Sequence, residues 1–210
     1  SWVARVNYDA PTWNLGVYAD HYFEDHSSMF LLDYDGYGTG AEWNVRKDNR
    51  YLFYGLKDIM LGAELTLKHC PWAKKIVVEY LYTKYQSGPI YHDHTENITD
   101  HIGGRDGYYN HGIYTGWQHW GQVIGNPLYM SPLYNTDGTM CVKNNRFVAW
   151  HGGLSGSLSR ALDYRLLATY QKGWGTYENM YPSPRRNVSL LAEAKYSAPV
   201  GGWQVVAALG

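Results

Sequence analysis

Between Tyr91 and His111 the chain reads YHDHTENITDHIGGRDGYYNH, gathering His92, His94, His101 and His111 with Asp93, Asp100, Asp106, Glu96 and Arg105. Three kinds of chemistry draw on such residues. The first is metal binding, for which His92 and His94 stand two apart with Asp93, Asp100, His101 and Asp106 nearby. A zinc site needs three or four ligands that converge and are themselves held by hydrogen bonds, and no spacing of the H-E-x-x-H kind is present. The second is hydrolysis by paired carboxylates, which needs two acids roughly 5 to 10 Å apart across a sugar. Asp93, Glu96, Asp100 and Asp106 offer candidates, but so does almost any acidic loop. No G-x-S-x-G nucleophile elbow occurs, and Cys141, the one cysteine in this part of the chain, has no recognisable reactive setting. These residues therefore assign no catalytic group, no metal and no cofactor, and the chain is expected not to be an enzyme.

The third chemistry is recognition of a polar ligand. A saccharide presents hydroxyls that pair with Asp, Asn, His and Arg, and a ring face that stacks on Trp or Tyr. His92, Asp93, Arg105, Asp106 and Asn110 supply the first kind; Tyr108, Tyr109, Tyr114, Trp117 and Trp120 supply the second. Arg105 and Arg146 are candidates to pair a uronic carboxylate. The candidate ligand-binding set is thus His92, Asp93, Arg105, Asp106, Tyr108, Tyr109, Asn110, Trp117, Trp120 and Arg146. The competing expectation is a loop folded on itself, its histidines and aspartates bonded to backbone groups and Tyr108 and Tyr109 forming a small apolar core.

What positions these residues is a series of strands. Period-two alternation runs through Trp13–Asp20, Ile59–Lys68, Ile76–Tyr85, Leu162–Gln171 and Asn187–Tyr196. Weaker cases are WVARVNY at the amino end, FVAWHGGL, and WQVVAAL at the carboxy end. From Leu162, for example, Leu162, Tyr164, Leu166, Ala168 and Tyr170 oppose Asp163, Arg165, Leu167, Thr169 and Gln171. About eight strands result, most near the roughly ten residues that cross a bilayer when tilted.

The connections alternate. DAPT, HCPWAK, GSLSR and SAPVGG are short, whereas residues 23–51, 86–146 and 172–186 are read as long loops. A soluble sandwich also has alternating strands, but its loop lengths follow no such rule. Short and long hairpins in turn, with a charged second face, predict an all-β transmembrane antiparallel barrel with short periplasmic turns and long extracellular loops. Aromatic usage agrees: 21 Tyr and 9 Trp against 4 Phe favour side chains with an apolar body and a wet tip. Trp13, Trp72 and Trp203 sit by short turns, and Tyr82 and Tyr170 lie towards the long-loop end.

Arg5, Glu64, Lys68, Glu79, Asp163, Arg165, Glu193 and Lys195 would face inwards with nearly balanced sign. That balance predicts a plugged or narrow lumen rather than a selective pore. Cys70 in a short turn and Cys141 in a long loop would lie on opposite rims, about 25 Å apart. That is far beyond the roughly 7 Å a disulfide tolerates. A net charge of −1 offers no electrostatic grip on nucleic acid. No run of 18 or more apolar residues forms a transmembrane helix.

The strings EYLYTKYQSGPIYHDHT, DHIGGRDGYYNHGIYTGWQHWGQVIGNPL, NNRFVAWHGG and YRLLATYQKGWGTY, in that order, resemble the carboxy-terminal part of the Wzi-like capsule assembly proteins of Bacteroidota. The resemblance is dense from Glu79 to Tyr177 and thin before Tyr51. It implies an outer-membrane lectin-like barrel that binds or retains capsular or other surface polysaccharide, with outer-membrane lipid and other outer-membrane proteins as further partners. The family's barrels are larger than eight strands, and this chain ends VVAALG rather than on a terminal aromatic. Residues 1–210 are accordingly expected to be one domain and a carboxy-terminal portion of a larger barrel. The alternative function is a diffusion channel or a passive barrel subunit of a larger complex.

Overall fold

A computed structural model describes residues 1–22, 58–86, 91–92, 101–103, 107–110, 116–198 and 201–210. Eight strands form one antiparallel sheet: β1 (Trp2–Asp9), β2 (Trp13–His21), β3 (Ile59–Leu67), β4 (Lys75–Tyr82), β9 (Phe147–Ser157), β10 (Leu162–Gly175), β11 (Met180–Ser197) and β12 (Gln204–Leu209). Each strand pairs with the next in chain order, so the sheet is a simple meander. Between β4 and β9 lie two small hairpins, β5 (Tyr91–His92) with β6 (His101–Gly103), and β7 (Gln118–His119) with β8 (Gln122–Val123). The protein is all-β: among the described residues the only helical turns are the 3₁₀ turns Pro71–Ala73 and Pro132–Tyr134.

The sheet is open. β1 and β12 are its two edges and do not pair with each other, so closure into a barrel is not seen. All eight strands anticipated from alternation are present, and the tight turns fall where expected. Ala10 N donates to Trp13 O at 2.9 Å, Leu67 N to Lys74 O at 2.8 Å, Leu158 N to Leu162 O at 2.9 Å and Ala198 N to Trp203 O at 2.8 Å.

One connection differs. The long loop expected over residues 172–186 is strand on both sides, with only residues 176–179 between β10 and β11. Gly173, Gly175, Pro182 and Pro184 read as loop punctuation, but the two glycines pair in the ladder and the two prolines are taken up by a bulge. Gly173 pairs with Arg185 and Gly175 with Met180, so residues 181–184 bulge opposite Trp174 alone. Both prolines fall in that bulge, where no ladder N–H is required of them. At Gly173 a Cβ would lie 2.3 Å from the Asn144 side chain, which explains the missing side chain there.

Register assigns every strand residue to a face. One face carries Val6, Val17, Ala63, Val78, Gly152, Ala168, Leu190 and Ala207 across its middle. No Asp or Glu lies on this face in any of the eight strands, and most of it is exposed or half-exposed. Aromatic rings mark both of its margins: Tyr8, Trp13, Tyr164 and Tyr196 towards the short turns, Trp2, Tyr80, Trp150 and Tyr170 towards the other end. Tyr80 and Trp150 are direct cross-strand neighbours with ring centroids 4.8 Å apart.

The opposite face is polar and its charges meet. Lys75 Nζ lies 3.1 Å and Arg5 Nη2 3.7 Å from Glu64 Oε1, and Arg165 Nη2 lies 2.9 Å from Glu193 Oε2. Beside the Arg5–Glu64 pair, Tyr18 lies across Gly62, where a Cβ would come within 2.2 Å of the ring, and its hydroxyl bonds Glu79. Partly exposed pairs of this kind contribute about 1 kcal/mol or less each, so the lattice fixes register more than it adds stability.

The apolar core lies on this polar face, at the end away from the short turns. Leu81, Phe147 and Ala149 of the sheet pack with Tyr108, Tyr129 and Val142 of the segment between β4 and β9. A connection of that length buries its own backbone only by folding onto something. Here its described residues pack onto the sheet's charged side.

Candidate functional site

The segment that lies on the sheet is anchored by a few buried polar side chains. Asp58 carries positive φ (44°) and is buried. Its carboxylate accepts from Tyr85 N at 2.9 Å and Tyr108 OH at 3.1 Å, and its carbonyl accepts from Tyr22 N at 2.7 Å. Asn145 Nδ2 donates to Tyr108 O at 3.1 Å, while Asn145 O receives Gln86 Nε2 at 2.7 Å and Thr83 Oγ1 at 2.9 Å. Such a network satisfies a chain segment that leaves the sheet ladder, and each bond lost inside it costs about 1–3 kcal/mol.

Among the candidate residues, His92 lies in β5, while Asp93, Arg105 and Asp106 fall outside the described residues, as do His94, Asp100 and Tyr114. Four others are committed to contacts within the chain. Tyr108 is buried in the core. Asn110 pairs with Val142 through both amide atoms, Nδ2 to Val142 O and Val142 N to Oδ1, each at 2.8 Å, which imitates a strand pair. Arg146 is 7% exposed, donates from Nε to Lys84 O at 3.0 Å and stacks on Tyr177 at 3.8 Å. Tyr109, held at φ 69°, stacks on Tyr129 with centroids 4.0 Å apart. Gly116 fits here for want of a side chain, since a Cβ would stand 2.2 Å from Tyr109 O. This is how a loop folded on itself is built, with the tyrosines as its core.

The two tryptophans are placed differently. Trp117 is 69% and Trp120 84% exposed. Trp120 and Gly121 form the two-residue tip between β7 and β8, with φ of 50° and 76°, as in a type I′ hairpin turn. A bulky non-glycine residue in that conformation costs on the order of 1–3 kcal/mol and persists only where its surroundings impose it. Here Gly121 O accepts from Leu133 N at 3.0 Å, Gln118 Nε2 donates to Met140 O at 2.9 Å, and Ile124 N donates to Trp117 O at 3.0 Å. The hairpin is thus fastened from both sides while its indole points to solvent.

Trp117 also forms one wall of a cleft of about 380 Å³ shared with Tyr22, Tyr108, Tyr109, Tyr129 and Asn126. Burial pushes the Tyr22, Tyr109 and Tyr129 hydroxyls above their usual range, so they remain protonated donors. The backbone N of Asn126 reaches Tyr109 OH at 3.4 Å at the cleft's floor. Rings on several sides with a few hydroxyls and an amide match the mixed surface of a sugar. Tyr22, Tyr129 and Asn126 lay outside the set drawn from sequence. Only the tertiary approach of the β2 end to residues 107–110 and 116–129 brings them together, and no local pattern signals it.

Beneath the cleft, Asn126, Pro127 and Leu128 face Glu79, His151 and Thr169 of the polar face across a cavity of about 290 Å³. Gln171 Nε2 fastens this stretch to β10 by donating to Leu128 O at 2.9 Å. Among the described residues no three His, Cys, Asp or Glu side chains converge as metal ligands would. Cys70, in the β3–β4 turn, and Cys141, in the loop, are free thiols. No described helix is long and apolar enough to cross a membrane, which says nothing of strands.

What the structure defines is an antiparallel meander with one bare apolar face and one polar face covered at one end by an aromatic loop. No protein-family model, curated protein or solved structure matches the chain.

Proposed function

We propose that the chain is part of an outer-membrane β-barrel of the Wzi-like kind, which retains capsular or other surface polysaccharide at the cell surface by binding rather than by chemistry. One observation carries this: the face of all eight strands without Asp or Glu, bordered at both margins by Trp and Tyr, is the surface a bilayer requires. The polar, charge-matched face then looks into the lumen, and the loop between β4 and β9 narrows it. Its exposed tryptophans and aromatic cleft would meet the polysaccharide outside.

Within that function Trp117, Trp120 and the cleft are the contact surface, while Asn110 and Arg146 hold the segment that carries it. The test uses the full-length gene with Trp117 and Trp120 both changed to Ala. Removing the whole loop would also strip the core from Leu81 and Phe147 and confuse the outcome. Heat-modifiable gel migration reports the folded barrel, and polysaccharide is measured on cells and in the medium. Release into the medium with migration unchanged supports retention by this surface; an unchanged cell-bound fraction removes it.

A second function, as a diffusion channel or a passive subunit of a larger complex, draws on the two unpaired sheet edges, which lipid cannot satisfy and another strand must cover. Conductance steps in planar bilayers would mark the channel.

A further inference from the structure

On the apolar face of the eight registered strands, Lys172 and Arg186 are the only Lys, Arg, Asp or Glu residues, and they stand directly opposite each other on β10 and β11. They lie one row beyond Tyr170 and Val188, where the apolar surface ends on the side away from the short turns. Like charges in direct cross-strand pairs have Cβ atoms about 4.5–5.5 Å apart and repel. On the polar face this problem is met by pairing, as Arg165 does with Glu193. Among the described residues neither Lys172 nor Arg186 has an acidic partner.

A third cation joins them. Lys84 Nζ lies 4.4 Å and Lys172 Nζ 5.2 Å from the centre of the same Trp174 ring. A tryptophan flanked by two ammonium groups, just past an apolar band, holds its cations where an interfacial anion would sit.

We propose that Lys172, Arg186 and Lys84 bind the phosphate of a phosphorylated lipid headgroup in the adjoining leaflet, with Trp174 seating the headgroup at the interface. The proposal rests on the membrane orientation inferred above. The lipid is favoured over a free anion because Lys172 and Arg186 share a face with the apolar band, so acyl chains and phosphate are engaged together. Arg185, the next residue of β11, belongs to the opposite face and stacks on Tyr181 at 4.2 Å, which makes it a control of equal charge.

The experiment uses the full chain in a neutral maltoside detergent, with lipid adducts counted by native mass spectrometry. The probes are phosphatidic acid, phosphatidylcholine of the same acyl chains, and inorganic phosphate. The wild type is expected to prefer phosphatidic acid over phosphatidylcholine on the order of tenfold. In the double variant Lys172→Gln, Arg186→Gln that preference disappears, and Lys172→Glu, which turns the repelling pair into an attracting one, also loses it. Arg185→Gln keeps it. Equal loss in Arg185→Gln, or no loss in the double variant, overturns the site. Displacement of phosphatidic acid by millimolar inorganic phosphate overturns the lipid as its ligand. Detergent phase partitioning, run on the same samples, reads the membrane orientation separately: a chain that stays in the aqueous phase defeats that premise, whatever the adducts show.

Discussion

The two faces of the sheet are built from the same strands, residue by residue in alternation, and have been treated in opposite ways. On one, Arg5, Glu64, Lys75, Arg165 and Glu193 meet in pairs, and a long loop comes down to bury Leu81, Phe147 and Ala149. On the other, Val6, Val17, Leu61, Val78, Leu166 and Val188 remain exposed. In water the preference would be reversed, because burying apolar area is worth about 25 cal/mol per Å² and burying charge is costly. That inversion is what supports the proposed membrane orientation, in which the apolar face would meet lipid and the polar face water.

The sharpest break of that contrast is at the covered end. Phe147 is fully buried between the sheet and Tyr129, with ring centroids 4.9 Å apart. Phe147→Ala is expected to cost about 3–5 kcal/mol locally. It should release residues 116–145 to proteolysis while β10 and β11 stay protected, which limited digestion with mass mapping would read.

Next comes a pair of neighbouring substitutions on β4. Val78 belongs to the bare face and Val77 to the polar one, opposite Glu64. Val78→Arg is expected to lower folding stability in vesicles by about 2–4 kcal/mol. Val77→Arg, given an acid to meet, should change it by less than about 1 kcal/mol. Denaturant titration of the folded fraction in vesicles separates the two, and equal effects would erase the difference between the faces.

The smallest effect lies in the exposed part of the loop. Hydrogen bonds from Lys143 and Thr139 hold the Asp137 carboxyl down at about 2. A carboxyl depressed in the folded state stabilises fully above its unfolded value near 3.9 and loses that contribution as pH falls towards 2. The Thr139 amide resonance should therefore stay put from neutrality to about pH 4 and move below it; in Asp137→Asn it should not respond.

Much of this architecture was open to reading in the alternation itself. Leu162–Gln171 and Asn187–Tyr196 announced both faces, and Trp13, Trp72 and Trp203 marked the short turns. The end of β10 and start of β11 were hidden because Gly173, Pro182 and Pro184 speak for a loop, and only the bulge opposite Trp174 admits them to a strand. The loop was harder still. Its composition proclaimed polar recognition, yet Tyr108, Asn110 and Arg146 are occupied by Asp58, Val142 and Tyr177, partners from other parts of the chain. Residue type indicates what a side chain can bond; which partner takes it is decided by tertiary packing.

The proposed function requires the bare face to meet lipid. The direct measurement places single spin labels at Ile76, Val77, Val78, Glu79 and Tyr80 of the full chain in phospholipid vesicles, with Cys70 and Cys141 changed to Ser, and compares accessibility to oxygen and to a water-soluble nickel reagent. Alternation is expected, with oxygen favoured at Ile76, Val78 and Tyr80 and nickel at Val77 and Glu79. Nickel access at all five positions would mean that the apolar face stands in water and would contradict the membrane orientation.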